Sequence, residues 1–256
     1  MSQDTLLTID VDWAPDWAIA SVREFLQAAG VRATWFVTHD SPEVRHLLAE
    51  ASLFEVGWHP NFLPGSTQGG SPEEVLAYCA ALAPHARAMR THGLFQSTPL
   101  LAQVRASTMI RIDSSQVLLG QPGLRAHAFP TPAGPMWRIP IWWEDDLESL
   151  QPVPDYALGF RLTTASPGVR VLNFHPIHIV LDSFSGATYR ALKQGTPALT
   201  ALTRDAVRRV RSDAGPLRGA GRAFREVVHQ LAALGGGETL SAHLARVCPA
   251  AGALWT

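Results

Sequence analysis

The sequence predicts an α/β fold in which strands and helices alternate around one barrel-like sheet. Segments rich in β-branched and aromatic residues alternate with segments of helical apolar spacing through the first half of the chain. The first three predicted strands each end in polar residues, and barrels of this kind gather their chemistry at the carboxyl ends of their strands. The chain has 256 residues, 46% of them hydrophobic, and one α/β barrel usually occupies about 250 residues. We therefore expect one large domain, residues 1–256.

The composition argues against several classes of protein. The formal net charge is -1 at pH 7, so the chain has no net positive electrostatic field that would attract nucleic acid. No nucleic-acid partner is therefore predicted. Cys79 and Cys248 are far apart, which argues against a disulfide framework or a thiolate zinc site. The sequence shows neither a basic N-terminal signal region nor a window of about 18 apolar residues. We expect a cytoplasmic protein without a membrane span, and the sequence does not predict its oligomeric state.

Two acids lie close together in the first predicted strand, which includes residues 8–13. Successive side chains of a strand point to opposite faces, so Asp10 and Asp12 should share one face. Two ionised carboxylates in apolar surroundings repel each other unless a proton or a metal ion relieves the repulsion. The alternative is a pair of strand-end acids in solvent or in a helix cap, and Asp16 is itself a plausible N-cap of the next helix.

The following elements keep the alternating rhythm. A helix is predicted over residues 16–30, with Gly30 as its C-terminal stop, and a strand over residues 31–38 follows at once. Ser71 and Pro72 are a typical start for a later helix, as cap and first helical residue. The other predictions in this half are a helix over 42–50, a strand over 54–59 and a helix over 71–83.

The second half begins with the same pattern and then changes. Further strands are predicted over 88–93, 109–113, 137–143 and 169–175, with a helix near 98–106. Gly and Pro dominate from Leu118 to Pro135, which predicts a long loop with one short strand at 127–129, walling the site. From about residue 187 the chain is mainly helical. This part carries a run of arginines that is either a solvated helix face or a contact for an anionic partner. The arginines are Arg204, Arg208, Arg209, Arg211, Arg218, Arg222 and Arg225.

The polar residues at the strand ends occur in the order of five known motifs. They are Asp10 with Asp12, His59, Arg90 with His92, Trp142 with Trp143, and His175. In this order they resemble carbohydrate esterase family 4, the NodB-like polysaccharide deacetylases, over most of residues 5–180. The resemblance implies a distorted (β/α)7-type barrel with a helical C-terminal extension. The Pro-Asn pair after His59 and the segment from Thr38 to Pro42 most resemble the WbmS-like branch, which is associated with surface polysaccharides.

The resemblance implies a role for each motif. The segment around Asp10 and Asp12 is similar to the first motif, whose acids are the catalytic base and a metal ligand; here Asp10 would be the base and Asp12 the ligand. His59 resembles the metal-binding histidine of the second motif. Arg90 resembles the arginine of the third motif, which orients the base aspartate.

The last two motifs lie in the second half of the chain. Trp142 or Trp143, together with Asp145, resembles the fourth motif, and Trp143 is a candidate substrate contact. Adjacent strand residues face opposite ways, so at most one of the two tryptophans can line the site, and both can simply fill the core. His175 resembles the histidine of the fifth motif, which acts as general acid.

The sequence departs from the second motif at one position. The family carries another histidine four residues after the first, and Leu63 stands there in this chain. His92 is the candidate for the missing ligand, because it would complete an Asp-His-His set with an open fourth position. His39, Asn61 and water are the alternatives, although an amide oxygen is a poor zinc ligand. Asn61 is also a candidate substrate contact.

The resemblance implies a metal-dependent hydrolase. Zinc suits two imidazoles and a carboxylate best, and iron, cobalt or nickel would accept the same ligands. The expected reaction removes an acetyl group, N-acetyl more readily than O-acetyl, from a sugar or a surface-polysaccharide precursor. The alternatives are an amidase acting on a C–N bond outside sugars, and a sugar-binding relative that has lost its catalytic metal.

Overall fold

The structure is a computed structural model that describes residues 4–158, 167–194, 198–214 and 219–249. Within these residues nine strands form one sheet, in the order β6-β7-β5-β4-β3-β2-β1-β9-β8. The strands are β1 (Thr5–Asp10), β2 (Ala33–Val37), β3 (Phe54–Trp58), β4 (Ala88–Met89), β5 (Ile112–Asp113), β6 (His127–Phe129), β7 (Met136–Arg138), β8 (Ile141–Glu144) and β9 (Arg170–Phe174).

The sheet closes on itself into a distorted barrel. The segment just after β5 forms a parallel bridge to β8, between Val117 and Ile141, and the Leu118 N–H donates to the Ile141 carbonyl at 2.9 Å. In the described part of the chain seven parallel strands, β1 to β5 with β8 and β9, therefore surround the centre. β6 and β7 extend the sheet outside this ring, with β6 antiparallel. The predicted fold class is confirmed.

Serine caps and a glycine stop mark several of the helix ends. Gly30 adopts φ 64° and ends the first helix, a conformation that costs glycine little. The hydroxyls of Ser41, Ser71 and Ser97 each accept a backbone N–H at the start of a helix. The helices are α1 (Asp16–Ala29), α2 (Pro42–Ala49), α3 (Pro72–Leu82), α4 (Thr98–Ser107), α5 (Asp145–Ser149), α6 (Pro176–Leu181), α7 (Gly186–Gln194), α8 (Arg204–Ala214), α9 (Ala220–Ala233) and α10 (Leu240–Val247).

Several predicted boundaries are wrong. The first strand ends at Asp10, because Asp12 and Trp13 adopt left-handed φ values of 46° and 55°. The Trp13 N–H donates to the Thr38 hydroxyl at 3.0 Å instead of continuing a strand. Asp16 is the first residue of α1 and not its cap. The strands β4 and β5 have two residues each, shorter than predicted, and a 3₁₀ turn over His92–Leu94 follows β4.

The helical C-terminal part packs on the barrel. Phe224, Val227 and Val228 of α9 are buried in the main core together with residues of α1 and β9. Residues 195–197, 215–218 and 250–256 of the predicted helical part, Arg218 among them, lie outside the described residues. Among the residues described, no helix combines the length and the apolarity needed to cross a membrane. The division of the chain into one domain with a helical part from 187 stays a prediction.

Candidate active site

The predicted site residues meet at one edge of the barrel. Asp10 is the last residue of β1, His59 follows β3, Arg90 follows β4 and His175 follows β9. The four strands run parallel, so their carboxyl ends face the same side. All four side chains are buried.

Asp12 connects two imidazoles that come from distant parts of the chain. Its Oδ1 atom lies 2.9 Å from Nε2 of His59 and 2.9 Å from Nδ1 of His92. The two rings approach edge to face with centroids 5.4 Å apart. Burial raises the pKa of Asp12, but the hydrogen bonds with His59 and His92 outweigh burial and hold the pKa well below its ordinary value. Asp12 is therefore a carboxylate at neutral pH.

The three side chains fit one metal ion. Their ligand-type atoms all lie within 4.8 Å of one another. Tetrahedral zinc, with bonds of about 2.0 to 2.2 Å to nitrogen and oxygen, separates its donor atoms by about 3.4 Å, so a small outward movement of the side chains would admit an ion. The side chains of Asp12 and His92 keep 22% and 28% of their surface exposed, which leaves access for a further ligand. Metal binding by these residues stays a prediction.

The two alternative ligands, His39 and Asn61, form hydrogen bonds close to their own positions in the chain. Among the described residues, the metal-type cluster around Asp12 contains His59 and His92 but not His39. The Nδ1 atom of His39 pairs with the Thr38 hydroxyl at 3.0 Å. The side-chain oxygen of Asn61 accepts the Leu63 N–H at 3.0 Å within its own loop, and metal ligation by Asn61 stays a prediction. The proposed substrate contact of Asn61 stays a prediction.

Asp10 is held at both carboxylate oxygens. Arg90 donates from Nη1 to Oδ1 at 2.8 Å, and Asn173 donates from Nδ2 to Oδ2 at 2.9 Å. Arg90 is itself fixed, because it donates to the backbone oxygen and the hydroxyl of Ser114, both at 2.9 Å, and lies over the Phe36 ring at 4.6 Å. A buried arginine with this many partners sets the orientation of the carboxylate.

Asn173 joins Asp10 to a second buried acid, Glu144. The same amide nitrogen of Asn173 donates to Oε1 of Glu144 at 2.8 Å. The other oxygen, Oε2, is buried without a hydrogen-bond partner in the described structure. Burial and then the negative charge of Asp146 raise the pKa of Glu144 to about 8, which makes it mainly neutral at pH 7. Neither Asn173 nor Glu144 was recognised from the sequence, although a polar residue inside the apolar strand before His175 was a signal.

His175 faces the two aspartates through one ring nitrogen. Its Nε2 lies 3.9 Å from Oδ2 of Asp10 and 3.7 Å from Oδ2 of Asp12. Its Nδ1 lies 2.6 Å from Oδ1 of Asp145. Burial lowers the pKa of His175, but the charge and hydrogen bond of Asp145 outweigh it and raise the pKa well above its ordinary value. His175 is therefore a protonated acid at neutral pH in this arrangement.

Two further aromatic rings, those of His178 and Tyr189, pack in succession beside His175. The ring of His178 lies 5.6 Å from that of His175 and 4.7 Å from that of Tyr189 in α7. Nδ1 of His178 pairs with the Ser183 hydroxyl at 3.0 Å. Burial lowers the pKa of His178 to about 4, so this histidine stays neutral and cannot replace His175 as the acid.

The tryptophans of the fourth motif lie in the core. Trp143 is 1% exposed, its indole N–H donates to Oε2 of Glu148 at 2.7 Å, and its ring lies 5.0 Å from that of Phe174. A side chain buried to this extent offers no surface to a substrate, so the predicted substrate contact at Trp143 is corrected to a packing role. Trp142 is also buried, at 5%.

The closed ring of parallel strands, with acids and histidines at its carboxyl edge, is the arrangement expected of a NodB-type polysaccharide deacetylase. The family model described as "WbmS-like: Polysaccharide deacetylase" matches residues 7–193. The chain therefore belongs to the WbmS-like polysaccharide deacetylase family.

Solved structures are similar to this chain to different degrees. A Bordetella bronchiseptica protein assigned as a polysaccharide deacetylase involved in O-antigen biosynthesis is 28% identical, with a TM-score of 0.72 over 88% of this chain and 90% of that one. The CE4 domain of a xylanase from the Trinervitermes trinervoides hindgut metagenome is 11% identical, with a TM-score of 0.46 over 95% and 90%. A CE4 pseudoenzyme from Bacillus anthracis is 14% identical, with a TM-score of 0.40 over 83% and 62%. No curated protein sequence matches the chain.

Proposed function

We propose that this protein is a metal-dependent hydrolase that removes an acetyl group, in the first place an N-acetyl group, from a sugar of a surface-polysaccharide precursor. The observation that carries the proposal is the convergence of His59 and His92 on one carboxylate oxygen of Asp12, beside Asp10 and His175. A protein that only bound sugar would not need a ligand set next to a fixed carboxylate and a protonated imidazole. The family membership and the O-antigen role of the Bordetella relative support the substrate class.

Asp12, His59 and His92 would hold the divalent ion. When bound, such an ion polarises an acyl carbonyl and lowers the pKa of a coordinated water from about 15.7 toward about 7. One carboxylate and two imidazoles favour zinc, while iron, cobalt and nickel accept the same donors. Burial lowers the pKa of His92, but the hydrogen bond with Asp12 outweighs burial and raises this pKa. Protons therefore compete with the ion for Nδ1 of His92 as the pH falls.

Asp10 acts as the general base. Arg90 and Asn173 fix its two oxygens, and each oxygen keeps a lone pair that can accept the proton of the attacking water. The fixed orientation matters because proton transfer needs a heavy-atom distance of about 2.6 to 3.2 Å in the reacting complex.

His175 acts as the general acid. Its raised pKa keeps a proton on Nε2 at neutral pH, on the side that faces Asp10 and Asp12. An amine leaves only when its nitrogen is protonated, whereas an alkoxide depends less on an acid, so a histidine held in the protonated form favours the N-acetyl substrate.

Acetate release tests the proposal. The zinc-loaded protein is given an N-acetylated glucosamine oligosaccharide and, in parallel, an O-acetylated xylose oligosaccharide. We expect faster release from the first, and we expect Asp10→Asn to keep its metal while losing at least about 100-fold in kcat. Asp40→Asn is the matched control, because the Asp40 side chain is 54% exposed. Sugar binding without acetate release by the loaded protein would contradict the proposal and favour the sugar-binding alternative.

A further inference from the structure

A groove lies on the helical side of the protein, apart from the residues of the candidate active site. It has a volume of about 290 Å³ and is formed by α1, α6, α8 and α9. Helix α6 contributes Ile179 and Val180, which follow directly after His178. The groove is therefore a neighbour of the active site but shares no proposed metal ligand or catalytic residue with it.

The groove concentrates positive charge in a chain whose net charge is -1. Its lining includes four arginines and no carboxylate: Arg204, Arg208, Arg211 and Arg225. Arg208 pairs with Asp205 at 3.2 Å, where both side chains are about three-quarters exposed, and such a pair is weak enough to be exchanged for a ligand. Within the described residues the side chain of Arg225 makes neither a hydrogen bond nor an ion pair. Arg211 donates from Nη1 to the Val180 carbonyl at 3.2 Å, which leaves its other N–H groups free to turn to a ligand. Arg208 and Arg225 are therefore the guanidinium groups most available to an anion.

The other walls of the groove are apolar and aromatic. Trp17, Phe25 and Phe224 line it, and the rings of Phe25 and Phe224 lie 5.9 Å apart. The guanidinium carbon of Arg204 lies 4.9 Å from the centre of the Trp17 ring, which places positive charge directly beside an aromatic surface. A ligand that fills the groove would need an anionic end and an apolar body.

We propose that the groove binds a small organic phosphate, with the phosphate between the arginines of α8 and α9 and an apolar group against Trp17, Phe25 and Phe224. A phosphate monoester carries up to two charges and three terminal oxygens, and planar guanidinium groups bind such oxygens in pairs. A single carboxylate would occupy one guanidinium and leave the others without a partner. This binding site does not depend on the hydrolase function proposed above.

The test measures binding of three probes by calorimetry: hexyl phosphate, inorganic phosphate and hexanol. Hexyl phosphate should bind at least about tenfold more tightly than either of the others, because only it engages both walls. The double variant R208Q/R225Q should weaken hexyl phosphate binding about tenfold or more. Arg222→Gln is the matched control, since Arg222 is an exposed arginine of α9 that pairs with Glu226 at 2.8 Å and does not line the groove.

A second pair of variants separates the groove from the metal site, which could also attract phosphate. Binding of hexyl phosphate should persist in Asp12→Ala, whose metal site is removed, and Trp17→Leu should weaken hexyl phosphate while leaving inorganic phosphate unchanged. Melting curves establish that each variant is folded. Equal affinity for all three probes, unchanged affinity in R208Q/R225Q, or loss of binding in Asp12→Ala would overturn the proposal.

Discussion

Asp145 holds His175 by two contacts on the same carboxylate. Oδ1 lies 2.6 Å from Nδ1 of the ring, and Oδ2 accepts the backbone N–H of His175 at 2.9 Å. Both residues are buried. The carboxylate therefore keeps a proton on Nδ1, sets the ring orientation, and directs Nε2 toward the substrate side.

The first prediction follows from this pair. Asp145→Asn removes the largest of the charges that raise the pKa of His175, while burial, which lowers it, and the smaller effects of Asp146 and Asp12 remain. The pKa should fall, so the acid form is lost at lower pH and the alkaline limb of the kcat profile moves to lower pH. At pH 8 the variant should lose at least about tenfold in kcat. The measurement is kcat against pH, with Asp40→Asn, a surface aspartate, as control; an unchanged alkaline limb would remove Asp145 from this role.

The same pair predicts how stability depends on pH. A histidine whose folded pKa is raised adds stability that is fully present below its unfolded pKa of about 6.5 and is lost as the pH rises through the folded value. Melting temperatures of the metal-free protein should therefore show a larger gap between wild type and Asp145→Asn at pH 5.5 than at high pH. A gap that is constant with pH would contradict the raised pKa.

The bridge through Asn173 gives a separate prediction. Asn173→Leu keeps the approximate size of the side chain but removes the donor that Asp10 and Glu144 share. We expect kcat to fall about 10- to 100-fold, with metal content unchanged and KM little affected, because the base loses its orientation. Thr8→Val is the milder comparison, since the Thr8 hydroxyl contacts Asn173 at 3.0 Å and accepts from Arg90 at 2.9 Å, one step removed from Asp10. Full activity of Asn173→Leu would show that Arg90 alone suffices to position the base.

Glu144 should make the native protein less stable at high pH. Its folded pKa of about 8 lies above the ordinary 4.5, so between these values the folded state binds more protons than the unfolded state. The free energy of unfolding therefore falls as the pH rises through that interval. Glu144→Gln has no carboxyl group at this position and does not show this fall in stability. The melting temperature of the variant minus that of wild type should therefore increase from about pH 5 to about pH 9. A relative melting temperature that does not change with pH would contradict a neutral Glu144.

The sequence predicted the fold well because the evidence for it is repeated along the chain. Alternating strands and helices, serine caps and Gly30 all indicate the same α/β architecture. The acids and histidines at the strand ends lie close together because the carboxyl ends of parallel strands face the same edge of the barrel. His92 was a reasonable candidate since it follows a strand of that edge.

Several local features of the site could not be predicted from the sequence, for physical reasons. The alternation that put Asp10 and Asp12 on one strand face assumed an extended chain, whereas Asp12 reaches the site through a left-handed turn that no periodicity reveals. Asn173 and Glu144 are single polar residues whose partners come from distant segments. Trp143 was misread because its neighbours in sequence do not say which face of β8 points inward.

The corrected role of Trp143 can be tested by stability. Trp143→Ala should lower the free energy of unfolding by about 3 to 5 kcal/mol, because it leaves a cavity beside Phe174 and removes the hydrogen bond that the indole donates to Glu148. KM for the acetylated oligosaccharide should stay within about twofold of wild type, measured well below the melting temperature. Phe95→Ala, which truncates an aromatic residue that is 44% exposed, is the control. A large rise in KM without destabilisation would restore the substrate contact.

The convergence of Asp12, His59 and His92 on one ion is the central claim, and metal content after zinc loading and dialysis tests it most directly. We expect about one ion per chain in wild type and in the controls Asp40→Ala and His46→Ala, whose side chains are more than half exposed. We expect Asp12→Ala and His92→Ala to lose the ion, and wild type to lose it as acid protonates the imidazoles. Wild type that releases acetate with no bound metal, or Asp12→Ala that retains a full equivalent of zinc, would contradict the claim.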